Sequence, residues 1–151
     1  MPTYTVTSAN VSLTAIQESE IAAGITEAHH QNTGAPGFFA QVLFAALPER
    51  RHYIGGKLNV TPHIYVHGLI RAGRSAAAKS GLIRQIASKV QEIAGVGAED
   101  IWVYVQDIAP EQMIEFGRVL PEPGAEEQWR NGVSELKRQQ LAAAGVAIRA
   151  R

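Results

Sequence analysis

The sequence has no cysteine among its 151 residues, which excludes disulfides, thiolate-bound metal clusters and cysteine redox centres. It has no charge excess either: 14 Lys and Arg balance 14 Asp and Glu, giving zero net charge and a pI near 7.0. A domain that grips nucleic acid through its phosphates needs a basic surplus, so nucleic-acid binding is not expected. Long apolar runs are also missing. The longest, Val42 to Leu47, falls far short of the roughly 20 residues that span a bilayer. The start, "MPTYTVTSANVSLT", has no cationic segment leading into an apolar one, so a cytoplasmic location without membrane contact is the expectation. Two glycosylation-type triplets, Asn10-Val11-Ser12 and Asn59-Val60-Thr61, carry no weight without a secretory route. What is present is 46% hydrophobic residues. A chain of this length can bury about 68–70% of its unfolded surface as a single domain, here residues 1–151, without metal or disulfide.

Periodicity divides the chain into two similar halves, about 2–47 and 63–108, and a tail over 109–151. Thr3 to Thr7 has the composition of a strand. Leu13 to His30 reads as a helix: Thr14 with Gln17 makes a capping box, and Ile21, Ile25, Ala28 and His29 fall on one face. Phe39 to Leu47 is a second strand, and Pro48 to Pro62, with its Pro, Gly-Gly and charges, is a connecting loop. The pattern then repeats. His63 begins the strand "HIYVHGLIR", and Ser75 caps a helix to about Ala94 that buries Leu82, Ile86, Val90 and Ile93 and ends at Gly95. In the strand Ile101 to Ile108, Val103 and Val105 share one face, with Trp102, Tyr104 and Gln106 on the other. Tyr4 aligns with Tyr65 and Val42 with Val103 at one common offset.

The expected fold is therefore α/β (α+β), two tandem β-α-β units sharing a four-stranded sheet with two helices on one face. In the tail, Pro110 and Gly117 bracket a short helix over Glu111 to Phe116, Pro121 to Gly124 is a turn, and Trp129, Val133 and Leu136 lie on a helix interrupted at Asn131-Gly132 and recapped by Ser134.

Several motifs fail on spacing. Gly55-Gly56-Lys57 lacks the earlier glycine and the following Ser or Thr of a phosphate loop, and Gly95-Val96-Gly97 follows a helix rather than a strand. His63 and His67 stand four apart on a strand, roughly 13 Å, too far for one ion. His29 and His30 diverge on their helix. No metal site and no cofactor are expected.

Pro2 follows a methionine that processing can remove, and its removal would leave a secondary amine whose charge at neutral pH depends on its surroundings. The segments "MPTY", "EAHH", "HGLIRAGRS", "IWVYVQDI", "MIEFGR" and "PEPG" followed by Trp129 together resemble the tautomerase superfamily, and within it cis-3-chloroacrylic acid dehalogenase and its homologues. The resemblance implies Pro2, Tyr104 and Glu115 as catalytic residues and His29, Arg71 and Arg74 as binders of a substrate carboxylate. His30, Trp102 and Trp129 are read as structural. The implied activity is cofactor-independent hydration of a cis-3-haloacrylate to malonate semialdehyde and halide, as a main or a secondary activity. Ala72-Gly73 between the arginines and Leu69-Ile70 before them are less polar than an efficient dehalogenase would present. Hydration of an acetylenic acid and keto–enol tautomerisation of a 2-hydroxy-dienoate or other enol are the neighbouring alternatives. A non-enzymatic trimeric binding protein is the alternative of another class. A homotrimer is implied by the resemblance alone. The enzymatic readings require loss of Met1, which an intact mass distinguishes, because a retained methionine makes the proline nitrogen an amide.

Overall fold

The structure, a computed structural model, describes residues 2–35 and 40–146. The chain runs β1 (Thr3–Ala9), α1 (Ala15–Thr33), β2 (Gln41–Ala46), β3 (Tyr53–Ile54), β4 (Lys57–Leu58), β5 (His63–Arg71), α2 (Ala76–Ala94), β6 (Ile101–Ile108), β7 (Ile114–Glu115), β8 (Arg118–Val119), α3 (Glu126–Asn131) and α4 (Glu135–Ala143). Each half forms the expected parallel β-α-β unit, β1 with β2 and β5 with β6. The halves join through antiparallel β1 and β5 into one sheet of order β2-β1-β5-β6. Phe39, the expected start of the second strand, lies outside the described residues.

The local signals that start and stop the helices act as written. Thr14 caps α1 in a reciprocal box with Gln17, Ser75 accepts from Ala78 N at the start of α2, and Gly34 and Gly95 end the two helices in the left-handed conformation. The helices run antiparallel over one face of the sheet: Gln17 Nε2 donates to Ile93 O at 3.0 Å, and Asn32 Nδ2 donates to Gln85 Oε1 at 2.7 Å. Between sheet and helices lies the core of Tyr4, Val6, Ile21, Ile25, Ile64, Val66, Ile70, Leu82, Ile86 and Val90. Val103 and Val105 pack against it, while Trp102 and Tyr104 face away and are exposed, because alternate strand residues point to opposite faces.

Two sequence expectations are corrected. The caps and the closing strands share the offset that relates Val42 to Val103, but the opening strands do not. Tyr4 is fully buried under the helices whereas Tyr65 is only partly buried, on the far face against Tyr104; a slip of one residue exchanges the two faces of a strand. The segment Glu111 to Phe116 is not a two-turn helix. Only Pro110–Gln112 winds, as one 3₁₀ turn, and β7 and β8 then form a hairpin whose central residues, Phe116 and Gly117, have φ of 51° and 75°. Positive φ at both positions is what a two-residue hairpin with the right twist demands. Leu136 is 67% exposed, so only Trp129 and Val133 of the tail's apolar face are buried, in a second small core with Leu120 and Met113. The loop from Pro48 to Pro62 contains a hairpin turning at Gly55-Gly56.

The closest approach in the sheet is between Gly68 and Tyr4. A Cβ at Gly68 would lie 2.5 Å from Tyr4 Cε1 and 2.8 Å from Cδ1, and Tyr4 is fully buried. Gly68→Ala is expected to destabilise the protein by about 1–3 kcal/mol through overpacking, lowering Tm by roughly 2–4 °C per kcal/mol for a domain of this size. Thermal unfolding followed by circular dichroism checks this.

Candidate active site

The sheet's topology brings one set of ends together. Because β1 is antiparallel to β5, its start meets the end of β5, and the two parallel pairings add the start of β2 and the end of β6 to the same rim. Helix α1 finishes and α2 begins there as well. Pro2 stands one residue before the Thr3–Leu69 pair, is buried, and accepts a hydrogen bond from Gln41 N at 3.0 Å. The same register carried one step further sets it opposite Ile70, next to Arg71.

His29 reaches this rim from the last turns of α1. Its ring is 4% exposed, and its Nδ1 lies 2.8 Å from the Tyr4 hydroxyl. Burial raises the tyrosine pKa, keeping the hydroxyl protonated. The hydroxyl and Nδ1 share this hydrogen bond, which leaves Nε2 as the ring nitrogen for a ligand. Burial above all, then the charges of Arg74, the amino terminus and His30, hold the His29 pKa down to about 4. His29 is therefore neutral at pH 7.

Arg71 ends β5 and Arg74 follows the turn at Gly73, where φ is 98°. Arg71 is 8% exposed and already engaged: Nη2 donates to Glu126 Oε1 at 2.6 Å and Nη1 to Pro121 O at 2.9 Å. Arg74 Nη1 donates to Thr33 O at 2.8 Å, satisfying a carbonyl at the end of α1. Burial and then the Arg71 charge lower the Arg74 pKa, while Glu126 opposes them. The two guanidinium groups and Glu126 thus share one electrostatic neighbourhood.

Glu115 comes to the rim on β7. The hairpin is held by the tail: Trp129 Nε1 donates to Val119 O at 2.7 Å, and Leu120 N donates to Met113 O at 2.9 Å. Burial raises the Glu115 pKa; the charge of the amino terminus and its hydrogen bond to the carboxyl oppose that shift. The amine that acts on Glu115 is that of Met1, the residue before Pro2.

Pro2, His29, Arg71, Arg74 and Glu115 are thereby assembled at one rim, and Tyr104 is not. It pairs with His67, lies on the face away from the helices, is 55% exposed, and touches Tyr65 and Trp102. The sequence reading also missed two participants. Tyr4 looked like any strand aromatic, and its even position in β1, shared with Val6, was the available signal. Glu126 looked like an acidic residue in a first helical turn, and nothing in the sequence pairs it with a residue 55 positions away. Among the described residues, no group of three or more His, Asp or Glu side chains could hold a metal ion, and no helix is long and apolar enough to cross a membrane.

Residues 1–133 match the Tautomerase_3 family, oxalocrotonate tautomerase-like enzymes. The chain is 32% identical to N1, a member of the cis-3-chloroacrylic acid dehalogenase (cis-CaaD) family, with a TM-score of 0.84, covering 93% of this chain and 99% of that one. This chain belongs to the tautomerase superfamily, in its cis-CaaD-like subgroup. The solved structure of native Ps01740 is similar at 29% identity and a TM-score of 0.70, over 75% of this chain and 99% of that one. An asymmetric trimer of a fused 4-OT shares the fold at 22% identity and a TM-score of 0.67, over 76% and 94% of the two chains. No curated protein sequence matches the chain. The four-stranded sheet with two helices is the tautomerase fold.

The neutral state of His29 makes the stability of the protein depend on pH. An unfolded histidine protonates near 6.5, whereas folded His29 does so only near 4, so between those values the unfolded chain binds the extra proton. The stability contributed is intact above about pH 6.5 and falls by up to about 1.4 kcal/mol per pH unit as acid approaches pH 4. Urea unfolding at pH 7 and pH 5 is expected to show a shallower loss in His29→Gln than in the wild type; equal losses would contradict the assignment.

Proposed function

We propose that this protein adds water to a cis-3-haloacrylate-type unsaturated carboxylate, using the amine of Pro2 after removal of Met1. The observation that carries the reading is the effect of the amino terminus on the Glu115 carboxyl: that terminus is Met1's, and with Met1 removed the Pro2 amine becomes the terminus there. A carboxylate there favours the cationic amine, against the arginines that disfavour it. Arg71, Arg74 and the Nε2–H of His29 bind the substrate carboxylate and draw electron density from the double bond. Glu115 takes a proton from water, whose oxygen bonds to C3, while the Pro2 ammonium gives its proton to C2. The resulting 3-halo-3-hydroxypropanoate loses halide and a proton to give malonate semialdehyde. Among tautomerase-superfamily enzymes this chemistry needs no cofactor, and none enters the steps here.

Tyr104 completes the reading only in an assembly. Its ring stands on the exposed aromatic face with Trp102, so in a homotrimer that covers this face Tyr104 assists water activation in a neighbouring subunit's site. A second reading is favoured by the exposed position of Tyr104, away from the rim. Keto–enol tautomerisation of a 2-hydroxy-dienoate or other enol needs Pro2 and the carboxylate clamp but no activated water, and so no Tyr104.

Pro2→Ala, Arg71→Ala and Glu115→Gln are each expected to lower hydration of cis-3-chloroacrylate by about 10²–10⁴-fold, the usual range for removing one proton-transfer partner, with the fold retained. Proton NMR of the Met-processed protein detects malonate semialdehyde directly. Wild-type rates in all three variants would overturn the reading; product from an enol substrate alone would select tautomerisation.

A further inference from the structure

The tail supplies a carboxylate to the clamp. Glu126 Oε1 lies 2.6 Å from Arg71 Nη2, and its other oxygen accepts from Gly124 N at 2.8 Å. The turn that carries it is stapled over the arginine loop: Pro121 O accepts from Arg71 Nη1, and Pro123 Cγ would meet a Cβ at Gly73 at 3.5 Å. Glu126 remains 40% exposed while Arg71 is nearly buried, so the pair sits at the mouth of the site with the guanidinium inside. Hydrogen bonds to Arg71 and to the backbone outweigh desolvation and hold the Glu126 carboxyl below the usual carboxylate range, and it is ionised at neutral pH.

The positive groups at this rim are Arg71, Arg74 and the amino terminus; the negative ones are Glu115 and Glu126; His29 is neutral. Asp107, beside Ile70 in the sheet, is neutralised by Lys79 at 2.6 Å. These groups together carry one positive charge in excess.

We infer that Glu126 sets the charge selectivity of the site: it acts as a built-in second carboxylate on Arg71, so the clamp accepts a monocarboxylate and disfavours a dicarboxylate of similar size. This rests on the reading of Arg71 and Arg74 as the substrate clamp. A second substrate carboxylate would meet Glu126 across the same guanidinium, where like charges in a partly desolvated site repel strongly. In Glu126→Gln the amide oxygen still accepts from Arg71 while the charge is gone. In Glu126→Asp the charge remains and the side chain shortens.

Acrylate and maleate, titrated by calorimetry into the Met-processed protein at fixed ionic strength and with both acids fully ionised, test it. The expected result is acrylate binding that is lost in Arg71→Ala, a shift of at least tenfold in relative affinity toward maleate in Glu126→Gln, and a wild-type preference in Glu126→Asp. Acrylate binding that depends on Arg71, with a Glu126→Gln ratio within twofold of the wild type, would overturn the role of Glu126 alone. So would equal shifts in the Gln and Asp variants, which would mark Glu126 as a brace rather than a charge filter. Acrylate binding that survives Arg71→Ala, or no binding to the wild type, would overturn the clamp itself.

Discussion

Antiparallel β1 and β5 are paired from Thr3–Leu69 to Ala9–His63, and the chemistry of the molecule hangs on that register. It makes the start of the chain and the end of β5 neighbours, so Pro2 arrives beside the strand that ends in Arg71. The parallel partners β2 and β6 bring their own ends to the same rim, and the helices, whose lengths are set by the caps at Thr14, Ser75, Gly34 and Gly95, deliver His29 and begin the turn to Arg74. A slip of one residue in this pairing would turn Pro2 and Tyr4 to the outer face. The tight contact of Tyr4 with Gly68 works against such a slip, because any side chain at that position would collide with the ring.

The rim concentrates positive charge in a partly buried place, which is costly unless each group has a partner. Each arginine has one built in: Thr33 O for Arg74, Pro121 O and Glu126 for Arg71. These bonds fix the guanidinium groups before any substrate arrives, and preorganised donors are the ones that stabilise developing charge most effectively. The C-terminal tail has a part in this arrangement. Trp129 holds the hairpin that presents Glu115, and Glu126 in the same short helix holds Arg71, so one element braces both the clamp and the carboxylate beside the amino terminus.

Much of this was legible in the residues. The duplication, the caps, the buried faces of both helices and the outward face of Tyr104 follow from local periodicity and capping chemistry, which the chain obeys with little tertiary override. The hairpin at Phe116-Gly117 was not legible, because Phe at the first turn position replaces the Asn or Gly that marks such turns, while Pro110 and Gly117 imitate the ends of a helix. The unequal opening strands escaped for a related reason: Tyr4 and Tyr65 match in identity, but the side each faces depends on cross-strand pairing rather than on composition. Glu126 could be found only in three dimensions, since an acidic residue in a first helical turn has an ordinary explanation in the helix dipole.

The account turns on the protonation state of the Pro2 amine, which separates an acid that protonates C2 from a base that shuttles protons. The most direct measurement is the titration of that amine by ¹⁵N NMR in Met-processed protein labelled at proline, in the wild type and in Glu115→Gln. The account predicts an ammonium at neutral pH in the wild type and a lower pKa when the Glu115 charge is removed. A neutral amine at that pH, or a titration that Glu115→Gln leaves unchanged, would contradict it.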